Sequence, residues 1–332
     1  MAKAPDKIVR IDPPESGFYA KELVYEGIPI KAPEVVADEA LFKAREWMNR
    51  ELQHLPDAAY NLKIAGAEFH IIGRDQQTSD LPEYRHMKGK PFDGKLTVDE
   101  RTRGLGGLSA SCGEENLLKL PKDRYHDRDI CPHEFAHTLM NYGLTRTIRT
   151  QIHDQRAKSL AAGKWVKAYA GSNDDEYFAE LTMWYFGGHG DMGMTGEKPA
   201  PGPEGLKKYD PEAYAFFDSV YSGHIKVDRV AVEALTAQTA ASEKTLRSGN
   251  SSVPTTIRFS NQTDQVLSLF WLDSDGKRHP YGTVPPHGRA AQNTFATHVW
   301  LVADAQGMAI ALFTAVEKQG LATIPYLKDR GN

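Results

Sequence analysis

Long apolar runs are missing from this chain. No stretch approaches the ~20 consecutive apolar residues that a membrane-spanning helix requires, so no membrane span is expected. An excess of one charge is missing too. With 40 Lys and Arg against 44 Asp and Glu, the net charge is −4, which gives no broad attraction to nucleic acid or to an anionic bilayer. Cysteine is scarce: there are 2, too few for a small disulfide-built scaffold. No internal repeat is evident. Gly104-Leu105-Gly106-Gly107 lacks the glycine spacing and the Lys-Ser/Thr of a phosphate-binding loop, and reads as a turn. What is present, 332 residues at 40% hydrophobic and 25% charged, is the composition of ordinary globular protein, long enough for two domains.

Against this plain background stands His133-Glu134-Phe135-Ala136-His137. On a helix, residues four apart share a face, so both imidazoles can reach one tetrahedral ion, and Glu134 is placed to take a proton from a water on that ion. Zinc lowers the pKa of such a water from 15.7 to roughly 7. Pro132 suits a first helical position and Gly143 a helix end. A catalytic zinc takes three protein ligands and keeps one position open. The third is sought in Tyr169-Ala170-Gly171-Ser172-Asn173-Asp174-Asp175-Glu176-Tyr177-Phe178-Ala179-Glu180, where Ser172 or Asn173 can cap a helix carrying Glu176 and Glu180 on one face. From the residues alone this stretch reads equally as a solvated acidic helix start.

Together, His133-Glu134-Phe135-Ala136-His137, Tyr169 and Glu176-Tyr177-Phe178-Ala179-Glu180 resemble the catalytic domain of anthrax lethal factor and the Pro-Pro endopeptidases, over roughly residues 100 to 190. The resemblance implies a zincin-like α+β metallopeptidase with one catalytic Zn²⁺. It implies His133, His137 and Glu176 as ligands, Glu134 as base, Tyr169 as oxyanion donor and Glu180 in support behind the ligands, with Glu180 as the competing third ligand. The implied partner is a protein or peptide substrate. Glu115 to Leu120 reads as an edge strand beside the site, able to pair with extended substrate.

Cys112 and Cys131 flank the segment before the zinc helix. A disulfide closing that loop would stabilise by about 3 kcal/mol; inert thiols, or a Cys131 thiolate masking the zinc, are the alternatives. Met1-Ala2-Lys3-Ala4-Pro5 has no apolar leader core. The chain is then either cytoplasmic or exported with its leader absent from this sequence, and the expectation is a secreted or periplasmic peptidase.

Along the chain, residues 1–30 read as an extended, proline-rich arm and 31–230 as the metallopeptidase domain. Within it, apolar spacing predicts a helix over Val36 to Leu55 and a strand at Phe69 to Gly73, with His70 as a core or edge histidine. Leu206 to Pro211 and Ala213 to Val220 read as closing helical segments. Residues 231–252 read as a helical linker with a hinge at Ser248 to Ser252. From Val253 the pattern alternates, and turns at Ser274-Asp275-Gly276, Pro285-Pro286-His287-Gly288 and Asp304-Ala305-Gln306-Gly307 predict a small all-β sandwich over 253–332.

That segment resembles the β domain of the von Hippel-Lindau tumour suppressor, through Arg258-Phe259-Ser260-Asn261-Gln262-Thr263, Trp271-Leu272-Asp273-Ser274-Asp275-Gly276, Pro280-Tyr281-Gly282-Thr283-Val284-Pro285-Pro286 and His298-Val299-Trp300-Leu301. The resemblance implies a peptide site for 4-hydroxyproline built from Trp271, Tyr281, Thr294, His298 and Trp300. Thr294 stands where the family has Ser, and Phe295 and Asn293 where it has Tyr and His, which puts the peptide preference in doubt. The combined expectation is a zinc endopeptidase whose β domain selects proline- or hydroxyproline-containing substrates. The alternative is a latent or non-catalytic zinc-containing peptide-binding protein.

Overall fold

The computed structural model describes residues 7–324, apart from 93, 127, 191, 196, 264, 286 and 287. Positions 286 and 287 of the expected Pro-Pro-His-Gly turn, 1–6 of the expected arm and 325–332 of the expected sandwich therefore lie outside the described residues. The chain divides into two compact units, meeting in sequence at Arg229 and Val230.

The first unit is mixed α and β. Its sheet has the order β1 (Val9–Glu15), β2 (Tyr19–Tyr25), β3 (Ile28–Ala32), β4 (Glu68–Ile72), β5 (Ser109–Gly113). The first three strands run antiparallel and the last two join parallel. The stretch expected as an extended arm is therefore largely sheet. Two tight turns make it so: Ser16-Gly17 and Glu26-Gly27 all take positive φ, the backbone that lets a two-residue turn follow the twist of a hairpin. Leu23, Ile28 and Ile30 are then fully buried.

Helices α1 (Asp38–Leu52) and α2 (Pro56–Ala65) pack on this sheet. Ala40, Leu41, Ala44, Met48 and Leu52 form the buried stripe of α1, and Pro56 opens α2 where a missing N–H costs nothing. A short turn, α3 (Val98–Arg101), precedes β5, and α4 (Glu114–Leu117) follows it. The expected strand at Glu115 to Leu120 is thus a helical turn. Its polar side chains are buried and committed: Glu114 accepts from the Ala37 amide at 2.9 Å and Glu115 from Arg103 Nε at 2.7 Å. The edge of the sheet is β5 instead.

Helix α5 (Ile130–Thr138) begins two residues before Pro132, which sits within the first turn where amides have no intrahelical acceptor, so the ring is tolerated. A wider π turn, Leu139–Gly143, continues it. Cys112 of β5 and Cys131 of α5 are joined by a disulfide, with a Cα–Cα separation of 5.3 Å. The unit is completed by α6 (Arg146–Ala161), α7 (Asp174–Tyr185), α8 (Pro203–Tyr209) and α9 (Pro211–Tyr221). No helix among the described residues is long and apolar enough to cross a membrane.

A buried polar network ties β4 to the turn at Pro82–Met87. His70 Nε2 lies 2.9 Å from Glu68 and Nδ1 2.5 Å from Glu83, while Lys31 reaches Glu68 and Glu15, each at 2.9 Å. Burial alone would lower the His70 pKa, but the two carboxylates outweigh it and raise it to about 9. A folded-state pKa above the unfolded 6.5 contributes stability that is complete below 6.5 and lost as pH rises through about 9. The unfolding midpoint of the native chain should therefore exceed that of His70→Gln at pH 6, and the gap should close towards pH 10. A gap that stays constant would mean that His70 carries no extra proton in the fold.

The second unit is all β. One sheet runs β10 (Arg278–Val284), β9 (Leu267–Leu272), β12 (Val299–Ala303), β13 (Ala309–Thr314), β7 (Gln238–Thr239). The other runs β11 (Arg289–Phe295), β8 (Pro254–Asn261), β14 (Gln319–Ile324), β6 (Val232–Ala234). Ile257, Phe259, Leu269, Trp300, Phe313 and Ile324 form a shared core between them. The expected helical linker over 231–252 contains β6 and β7, each completing a sheet edge, because Val232 to Ala234 pair with Gln319 to Leu321 and Gln238-Thr239 with Ala311-Leu312. Ser248 is not at a free hinge: its hydroxyl donates to the Leu272 carbonyl and accepts from the Val299 amide at 2.8 Å.

Candidate metal centre and peptide pocket

Helices α5 and α7 pack side by side, and the face they share carries the polar residues. His133 and His137 project from α5 one turn apart. Glu176 projects from the first turn of α7, whose start is fixed by Asn173: its side-chain oxygen accepts from the Glu176 amide at 2.8 Å. His133 Nε2 lies 3.1 Å from His137 Nε2 and 3.3 Å from Glu176 Oε2, and His137 Nε2 lies 3.6 Å from the same oxygen. A tetrahedral site with bonds of 2.0–2.1 Å has donor–donor edges of about 3.3–3.4 Å, so the three donors fit one ion. Glu176 Oε2 is buried without a hydrogen-bond partner, as an oxygen reserved for a cation would be. These three residues could hold a metal.

For His133 and Glu176 the protonation state agrees with a ligand role. Burial brings the His133 pKa down to about 4, which keeps its ring neutral. Burial opposes ionisation of Glu176, but the two histidines close beside it overcome this and hold the carboxyl well below its usual range. His137 is pulled down by burial and pushed up more strongly by Glu176 and Glu134, for a net rise.

Around this cluster lies a cleft of about 470 Å³. Glu134 lines it, almost fully buried, and burial raises its carboxyl pKa to about 7. The Gly106 amide faces that carboxylate and favours its charged form. Tyr169 lies across the cluster, its hydroxyl donating to Glu176 Oε1 at 2.8 Å. Glu180, one turn after Glu176 and fully buried, stands behind the cluster, with Oε1 3.3 Å from His133 Nδ1 on the far side of the ring. Glu180 thus faces Nδ1 of His133, while Glu176 faces Nε2 of the same ring. Phe92 and Tyr142, both partly exposed, form an apolar rim.

Two contributors were not visible as site residues in the sequence. The turn at Gly104 to Gly107 is pressed onto α5: a methyl group on Gly106 would lie 2.7 Å from His137 Cβ, and the glycine pattern was the available signal. Arg128 reaches Glu180 from an irregular loop, and no local pattern marks it.

In the second unit, Tyr281 and Trp300 meet edge to face at 5.0 Å, and Trp271 lies over His298 at 5.2 Å. Thr294 Oγ1 accepts from Trp300 Nε1 at 3.0 Å and lies 3.2 Å from His298 Nδ1. The five expected pocket residues are thus linked by contact. Trp300 is part of the core while Tyr281 is 47% exposed, so the group has a buried floor and an open wall. Trp271 Nε1 is buried without a partner.

Residues 246–316 match the family model of the VHL beta domain, a span that includes these five positions. Among solved structures, the chain is similar to the Pro-Pro endopeptidase of Paenibacillus alvei at 18% identity, covering 59% of this chain and 97% of that one with a TM-score of 0.41. It is also similar to a protein from Eubacterium rectale, solved by NMR, at 21% identity, covering 24% of this chain and 84% of that one with a TM-score of 0.19.

Proposed function

We propose that this chain is a zinc-dependent endopeptidase. The observation that carries the proposal is the meeting of His133, His137 and Glu176 at one point, with Glu134 and Tyr169 in the same cleft. A structural metal site needs neither a buried carboxylate base nor a phenol beside its ligands. Zinc held by the three ligands would supply the positive charge that acidifies water and polarises a carbonyl. Glu134, oriented by the Gly106 amide, takes the proton from the attacking water and returns it to the leaving amine. Its burial raises the carboxyl pKa towards neutrality, so both halves of that exchange are within reach near pH 7. The Tyr169 hydroxyl, which hydrogen-bonds Glu176, turns to donate to the substrate oxygen as negative charge develops there.

For the second unit we infer a peptide site. An aromatic wall of Trp271, Tyr281 and Trp300 suits a proline-like ring. Thr294 and His298, held by Trp300 and by each other, offer a paired donor and acceptor for a ring hydroxyl. Proline- or 4-hydroxyproline-containing proteins outside the cell are the substrate class that this aromatic site would favour, consistent with export.

The experiment is mass-spectrometric cleavage profiling of a peptide library that includes hydroxyproline peptides, with metal analysis of the same protein. Cuts that disappear on chelation and return with zinc are the expected result. Stoichiometric zinc without any cleavage would instead favour a binding protein.

A further inference from the structure

Glu180 is a carboxylate with no exposure, on the inner face of α7 one turn beyond Glu176. Such a charge is stable in the interior only with a close cation and hydrogen bonds. Arg128 provides them: its Nη2 donates to Glu180 Oε1 at 2.8 Å, and its own side chain is 14% exposed. The same oxygen stands 3.3 Å from His133 Nδ1. Gly190 closes the other side, where a Cβ would come within 2.0 Å of Glu180 Oε2. The carboxylate is therefore held on one side by Arg128 and crowded on the other.

Arg128 is itself fixed. Its carbonyl accepts from Asn116 Nδ2 at 2.7 Å, its amide donates to the Tyr125 carbonyl at 3.1 Å, and Nη1 rests 3.6 Å from Met192 Sδ. Asn116 also receives the Ile130 amide at 2.9 Å. One buried side chain thus secures both the loop that carries Arg128 and the start of α5.

Resting on the zinc reading of the site, we propose that Arg128 is a positioning residue for the metal centre, acting on His133 through Glu180. Glu180 Oε1, 3.3 Å from Nδ1, sets which way the ring faces and leaves Nε2 towards His137 and Glu176. Arg128 holds Glu180 in place. Removing the guanidinium leaves the buried carboxylate without that partner and able to shift, and His133 loses its orientation.

The test measures the zinc dissociation constant of the full chain by competition with a chelating indicator, for the native protein, Arg128→Met and Arg128→Lys. Thermal unfolding with excess chelator gives the stability of each without zinc. Loss of an outer partner of this kind weakens metal binding by about 10–100-fold, the effect expected for Arg128→Met. Arg128→Lys keeps a charge for Glu180 and should recover part of that loss, even if Arg128→Met folds poorly. Variants that are less stable in chelator yet bind zinc within about twofold of native would overturn the proposal, since Arg128 would then only support the fold. A native chain that binds no zinc would overturn this proposal and the zinc reading together.

Discussion

Replacing Glu134 with Gln is expected to lower kcat by roughly 10²–10⁴-fold and to leave zinc bound. Gln keeps the size of the side chain and can still meet the Gly106 amide, but it cannot accept a proton. Glu134 is not among the three clustered residues, and it lines the cleft, so metal content should match the native protein. The substitution also removes a buried ionisable group whose charged form burial disfavours, so the unfolding midpoint should hold or rise. Steady-state kinetics on one cleaved peptide, together with zinc analysis, decides the matter. Native turnover in Glu134→Gln would place proton transfer elsewhere, and lost zinc would make Glu134 part of the metal site.

Gly106→Ala is expected to have the second-largest effect, from a single methyl group. That carbon would stand 2.7 Å from His137 Cβ and 3.0 Å from its ring, well inside van der Waals contact. Either His137 turns away from the cluster or the 104–107 turn lifts, taking with it the amide that orients Glu134. Overpacking of this kind costs about 1–3 kcal/mol of stability, which the fold should survive. A displacement on the order of 1 Å at a reacting group costs about 10²-fold in rate. The expected result is a folded protein with roughly hundredfold lower kcat/KM and weakened zinc binding. If both values matched the native ones, the turn would not be in contact with His137 in solution.

These two residues mark how far the sequence could be read. The histidine pair is legible because helical period alone puts His133 and His137 on one face, and the same rule places Glu180 one turn from Glu176. The Asn173 cap was visible for a similar reason, since its partner amide is three residues away. Gly106 and Arg128 act across irregular chain, where no period relates them to α5 or α7. The mistaken elements have physical causes as well. The hairpins of β1 to β3 are interrupted by Pro13, Pro14 and Pro29, so alternation is weak and their turns went unread. Strands β6 and β7 are only three and two residues long and are defined by the strands they pair with. Glu115 to Leu120 has strand-like residues, yet the buried partners of Glu114, Glu115 and Asn116 decide for a helical turn.

The bond between Cys112 and Cys131 makes a closed ring of the chain between the sheet edge and the metal helix. Its outer bend, Lys119 to His126, is mostly exposed, apart from Asp123. A single cut in that bend leaves two pieces still joined through sulfur, with β5 on one and α5 on the other. The chain thus carries an exposed loop beside α5 where a break does not divide the molecule.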